Sequence, residues 1–321
     1  MRQLALAALA AVTLPLAAAA GPPGFDCGTV RFGQPDWTGV SIKAATASWL
    51  LEQLGYETEL EWASLPTVYR GMSNGTLDVM LGQWLPAGRE AFRPYGIEGS
   101  LEILSSNLEG ARYTIAVPGY VYAAGVTSLA DLDAHRHRFG GRIHGIEFGS
   151  GGNDTVLRMI ADDFAGLGDW RLVEASEPNM LATVERHVED GDWIAFLGWS
   201  PHPMNVDHDI RYLSGGARYW GPDKGAVTVN TVTRSGFPWA CPNVGQFLDN
   251  YDWTVAEQSL AMKHVANGGM SPLAAGQRII RDHPGMLERW FANGGKYRTG
   301  PIRTADGRRQ ARPVIREALG L

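Results

Sequence analysis

The chain has 321 residues, of which 45% are hydrophobic and 19% charged; this is a globular composition and excludes a disordered or fibrous chain. The formal net charge of -6, from 28 basic and 34 acidic residues, argues against a dedicated nucleic-acid binder, which carries a basic excess. After residue 20 no apolar run reaches the ~18 residues of a membrane span, so no direct membrane insertion is expected, and the length suggests about two domains.

Residues 1–20 read as a secretory signal, with Arg2 as the charged start, an apolar core over 4–16 and Ala18-Ala19-Ala20 as the cleavage pattern. No cysteine stands at the cleavage site, so a lipid anchor is not expected. Cys27 and Cys241 are the only cysteines. In an exported chain they are expected to pair. The bridge would close a loop of roughly 210 residues and contribute at most ~5 kcal/mol by the chain-entropy argument.

Strand and helix patterns alternate from there on. A strand is expected at 29–32, a turn at 33–37, an amphipathic helix at 40–54 stopped by Gly55, and a strand at 56–62. A helix at 66–73 ends at Asn74-Gly75, and a strand at 77–82 runs into Trp84-Leu85-Pro86. This β-α-β-α-β order predicts a parallel, doubly wound sheet, in which ligands bind outside the carboxyl ends of the strands. A second set follows: strand 142–147, a glycine-rich loop at 149–152, helix 154–163, strand 172–175, helix 178–188, and strand 193–198 ending at Trp199. Segments 111–118 and 226–234 would be crossovers between the two sets. The fold class is therefore α/β with two lobes, each a mainly parallel sheet. Lobe 1 is discontinuous, 21–115 plus 225–321, and lobe 2 covers 116–224. Helices are expected at 255–266, 272–281 and 286–291. The end of the chain, about 297–321, carries Arg298, Arg303, Arg308, Arg309, Arg312 and Arg316 and reads as a solvated basic tail.

Enzyme patterns are sparse. Gly71-Met72-Ser73-Asn74-Gly75 matches a nucleophile elbow, but that motif needs a strand before the serine and a helix after it, the reverse of the order here. A secreted hydrolase, resting on that pattern alone, is the alternative from another function class. The chain shows no complete dinucleotide fingerprint, Walker motif or HExxH, and its two distant cysteines exclude a CxxC zinc site. His135 and His137 are expected to face solvent. No catalytic residue, metal or cofactor is expected.

The aromatic residues are more informative. Trp37, Trp84 and Trp199 each fall just beyond a predicted strand, Tyr113 lies in the first crossover, and all four converge on the cleft between lobes. Large apolar rings at loop tips point to a ligand. Several rings around one point suit a quaternary ammonium, which donates no ordinary hydrogen bond and is held by ring faces. Three or four rings at roughly 1–2 kcal/mol each give about micromolar binding. Trp49, Trp62, Trp170 and Trp253 are expected to serve packing instead.

At these residues the chain resembles the periplasmic choline-binding proteins of ABC importers, within the glycine betaine/choline substrate-binding family. The matching segments are Asp36-Trp37-Thr38, Leu81 to Pro86, Gly110 to Thr114, Gly145-Ile146-Glu147 with Gly152-Asn153, Phe196 to Asn205, Tyr212 to Gly216 and Cys241 to Val244. The resemblance spans about residues 27–292. It implies a two-lobe periplasmic protein, a monomer, that closes on a small quaternary ammonium ligand and passes it to the membrane permease. It also implies that Trp37, Trp84, Tyr113 and Trp199 form the cage, that Asn153 holds the polar end of the ligand, and that Cys27 and Cys241 are the family's lobe-pinning disulfide. One departure bears on specificity. Choline binders of the family carry an acidic residue two positions after the first cage tryptophan, where this chain has Gly39. Losing that carboxylate removes a hydroxyl acceptor and a charge that would repel a carboxylate ligand. Backbone N–H groups at Gly39 and Val40, or His202, would then meet a betaine carboxylate, so glycine betaine, carnitine or another methylated amine stands as the alternative to choline.

Overall fold

The computed structural model describes residues 27–321; the expected signal at 1–20 lies outside the described residues. Strand β1 (Thr29–Gln34) leads through the helix Thr38–Gln53 into β2 (Glu57–Trp62), and the helix Leu65–Ser73 leads into β3 (Val79–Leu85). β1 pairs in parallel with both β2 and β3. The long β4 (Leu101–Pro118) then crosses to a second set, β5 (Arg142–His144), β6 (Arg171–Val173) and β7 (Ala195–Ser200), in which β5 pairs in parallel with β6 and β7. β8 (Ile210–Tyr212) pairs with the end of β4, and β9 (Ala226–Arg234) returns the chain to the first set.

The nine strands form one hydrogen-bonded sheet: eight run in the order β2-β1-β3-β9-β4-β7-β5-β6, and β8 pairs with β4 off this path. Both expected crossovers are therefore strands, antiparallel to their neighbours, and the sheet is mixed rather than mainly parallel. Arg112 is the handover: it pairs with Ala226 of β9 and with Ser200 of β7. Three register shifts interrupt the β4–β9 ladder. Such bulges raise local twist in the strand pair that joins the two halves of the sheet.

The helix Thr38–Gln53 is buried on most sides, including Ile42, Ala47, Leu50 and Leu51. An amphipathic helix was the expectation; the difference comes from helices Val255–Ala266 and Pro272–Asp282, which pack on the side away from the sheet. The C-terminal segment also corrects the sequence reading. Helix Ala311–Leu319 buries Ala311, Val314, Ile315 and Leu319 in the core, an i, i+3, i+4, i+8 stripe. Backbone bonds fix the segment before it: Ala305 N donates to Leu54 O at 2.7 Å, and Arg303 exchanges two bonds with the Asn243 side chain. Its arginines face outward to carboxylates, Arg309 to Glu317 and Arg312 to Glu288. Cys27 and Cys241 form a disulfide with Cα atoms 5.4 Å apart and a sequence separation of 214. Among the described residues no helix is long and apolar enough to cross a membrane.

Candidate functional site: a cavity between the two halves of the sheet

Trp37 occupies the N-cap position of the helix Thr38–Gln53, Trp84 lies one residue from the end of β3, and Trp199 lies one residue from the end of β7. Tyr113 is in β4 directly opposite Trp199. All four line one cavity, together with Gly39, Lys43, Gln83, Gly152, Glu177, Gln258 and Met262. About 50 Å³ of it is open to the centre of a water-sized sphere; a single water needs only ~10–15 Å³ by this measure, so the space fits a small organic solute. The Tyr113 ring meets Trp84 edge-on at 5.6 Å and Trp199 at 6.1 Å. A Cβ at Gly152 would fall 1.9 Å from the Tyr113 hydroxyl oxygen, so only glycine admits this ring.

The other expected residues divide. Gly39 is on the cavity wall, and the Gln258 amide fills the room its missing side chain leaves: a Cβ there would lie 2.3 Å from Gln258 Nε2. Asn153 is not on the wall. It is fully buried, and its amide is spent on Ile146 N, Ile146 O, Glu147 O and Glu174 at 2.7–3.1 Å. It shapes the loop that carries Glu147. His202 stands behind Trp199, ring centroids 5.0 Å apart. Its Nδ1 accepts from Met204 N, which leaves Nε2 to carry the proton, 3.5 Å from Glu177 Oε1. Trp170 and Trp253 are buried as expected for packing, whereas Trp62 is 53% exposed at the sheet edge. Ser73 ends a helix, and β3 follows it, the wrong order for a nucleophile elbow.

Two acidic residues that the composition did not single out define the electrostatics. Glu177, 3% exposed, accepts from Thr38 Oγ1 at 2.7 Å and Thr38 N at 3.4 Å. Glu147 accepts from Trp37 Nε1 at 2.5 Å. Both bonds join one half of the sheet to the other across the cleft. Burial, then the charges of Glu177 and Asp36, raise the Glu147 carboxyl above its ordinary range, against the hydrogen bond from Trp37. Burial and the Glu147 and Glu177 charges push the Tyr113 phenol well above its ordinary value. It stays neutral, and its hydroxyl has no hydrogen-bond partner. Lys43, fully buried on the same wall, is pulled down to about 7 by burial. Among the described residues no group of three or more His, Cys, Asp and Glu is placed to hold a metal ion.

Residues 28–282 match the family described as the substrate-binding domain of ABC-type glycine betaine transport systems. The chain belongs to this family. A solved ABC-transporter choline-binding protein in complex with choline is 37% identical, with a TM-score of 0.86 over 92% of this chain and 99% of that one. Lactococcal OpuAC in its closed-liganded conformation complexed with glycine betaine is 25% identical, with a TM-score of 0.74 over 82% of this chain and 99% of that one. The glycine betaine/carnitine transport binding protein GbuC of Listeria monocytogenes is 29% identical over 174 residues, 53% of this chain and 57% of that protein. The fold is thus the two-lobe α/β fold of periplasmic binding proteins, and the cavity is lined by residues of both halves of the sheet. Such proteins bind a small solute and work with an ABC permease.

Proposed function

We propose that this protein captures choline, or a closely related quaternary ammonium cation, in the inter-lobe cavity and delivers it to a membrane permease without chemical change. Residues 1–20 direct it to the periplasm, where it acts as a monomer. Trp37, Trp84, Tyr113 and Trp199 form the cage, contributed by both lobes, so it is complete only on closure.

The observation that carries the choice of a cation is Glu177. It stands on the cavity wall among the four rings, nearly inaccessible to solvent. It also occupies the N-terminus of the helix Thr38–Gln53, accepting from Thr38 N, the place where a ligand carboxylate would otherwise be welcome. A betaine carboxylate entering there would meet like charge, whereas a quaternary ammonium meets rings and a counter-charge. Glu177 thereby restores, from the other lobe, the acid that Gly39 lacks. One observation favours the second reading, a zwitterionic betaine: Lys43 and the Gln258 amide share the wall with Gly39.

The test is a titration of the purified protein by intrinsic tryptophan fluorescence with choline, glycine betaine, carnitine and trimethylamine N-oxide. Saturation by choline, weakened about 5- to 30-fold by Trp199→Ala through loss of one ring worth roughly 1–2 kcal/mol, is the expected result. Silence across the panel, or unchanged calorimetric affinity in Trp199→Ala, refutes the cage.

A further inference from the structure

Lys43 is an unusual wall for a cation site. It is 1% exposed, lines the cavity, and donates to Asn107 Oδ1 at 2.6 Å. Asn107 is neutral and is itself oriented by bonds from its Nδ2 to Leu81 O and Thr231 Oγ1, so its oxygen is turned to the amine. Lys43 lies one helical turn after Gly39, and residues at i and i+4 share a helix face. On the same cavity wall Gln258 Oε1 is buried without a partner.

Among the described residues no carboxylate pairs with the amine. Across the cavity are Glu177, engaged with Thr38 and His202, and the neutral Tyr113 phenol. Glu147 is held by Trp37. The Tyr251 hydroxyl bonds the Lys43 carbonyl. On the helix Val255–Ala266, Glu257 is paired with Arg289. β3 presents Gly82 and Gln83, and Asp78 just before it is paired with Arg31 and Arg234. On β2, Glu59 pairs with Arg31 and Glu57 with Thr29. On the helix Pro272–Asp282, Arg278 pairs with Asp282. On the helix Ala311–Leu319, Arg312 and Arg316 turn to Glu288 and Glu317 to Arg309.

We infer that Lys43 selects ligands by their charge: a cationic ligand is admitted with the Lys43 amine neutral, so choline binding expels a proton, whereas a quaternary ammonium bearing a carboxylate is held with Lys43 protonated. A neutral amine donates to Asn107 and keeps a lone pair, which accepts the choline hydroxyl; an ammonium has three donors and no acceptor. Burial without a counter-charge favours the neutral amine. The inference rests on the proposed quaternary ammonium site and assigns the polar end of its ligand.

The experiment is calorimetry of the whole mature protein with choline and with glycine betaine, from pH 6 to 9, in buffers of different ionisation enthalpy. Choline affinity is expected to fall about tenfold per pH unit below the titration of Lys43 and to level above it, as linkage requires, with up to one proton released. Glycine betaine should release none. Lys43→Met should bind choline more weakly at high pH, where the wild-type amine accepts the ligand hydroxyl, and should lose the Lys43 part of the pH slope and of the proton release. Lys43→Arg, which cannot deprotonate, should weaken choline at least tenfold at every pH, with the melting temperature recorded alongside. Equal slopes and proton counts in the wild type and Lys43→Met overturn the inference. Should that variant not fold, equal proton release with choline and with glycine betaine in the wild type overturns it. Choline binding without proton release at pH 6, below the titration of Lys43, sinks this inference alone; no binding of choline or tetramethylammonium sinks the cage and this inference with it.

Discussion

Replacing Glu177 by Gln removes one charge and almost no volume, so it isolates the electrostatic part of recognition. Glu177 is 3% exposed and stands on the cavity wall. With an effective dielectric constant of about 20, a carboxylate about 5 Å from a fixed cation contributes about 3 kcal/mol. The glutamine oxygen can still accept from Thr38 Oγ1, now 2.7 Å from Glu177 Oε1; that bond changes from charge-assisted to neutral, a loss of about 1 kcal/mol felt by every ligand that needs the closed form. Choline should therefore bind about 100-fold or more weakly, since each 1.4 kcal/mol is tenfold. Glycine betaine should lose tenfold or less, because its carboxylate is relieved of repulsion while its ammonium loses attraction. The assay is calorimetric titration of both ligands, with thermal unfolding as the control for folding. Choline affinity within threefold of wild type would show that Glu177 is not the counter-charge. Equal losses for both ligands would show that it acts by holding the lobes together rather than by recognising charge.

Two further outcomes follow from the packing. Gly152→Ala places a Cβ 1.9 Å from the Tyr113 hydroxyl oxygen, at the end of a rigid ring. Ligand affinity should fall at least tenfold, and adding Tyr113→Phe should restore part of it; no loss in the single variant would mean that Tyr113 is free to move aside. Ile315→Asp buries an unpaired charge in the core at a position now 0% exposed and should cost at least about 3 kcal/mol in chemical denaturation, whereas a solvated tail would show no change.

The strand–helix alternation and the converging aromatic residues were legible because both rest on local pattern. Trp37, Trp84 and Trp199 stand where the strand ends and the helix start fell in the sequence, and the two cysteines could pair with nothing else. The remaining parts depend on neighbours that the pattern does not carry. Lys43 sits in a helix read as amphipathic, where a lysine belongs on the wet face; the C-terminal helices that cover that face come more than 200 residues later. Glu177 precedes Pro178 at a helix start, where an acid reads as an ordinary partner for the helix dipole. Asn153 has the residue type of a ligand contact, but its bonds go to the loop it shapes and to Glu174. In the C-terminal segment six arginines masked a four-residue apolar stripe.

The position of the acid gives the exchange at Gly39 a mechanical meaning. A carboxylate two residues after Trp37 would travel with that ring and stay beside it whether the lobes were open or closed. Glu177 starts a helix of the second strand-helix set and reaches Thr38 only across the cleft, as Glu147 reaches Trp37. On the proposed function the counter-charge and the last rings would arrive together, and an open lobe would offer a cation only part of its site. A ligand shifts an equilibrium only by its differential affinity for the two states. With the counter-charge on Glu177 rather than at position 39, the electrostatic contribution would add to that difference. On the proposed function closure would then respond to a ligand's positive charge as well as to its fit against the rings.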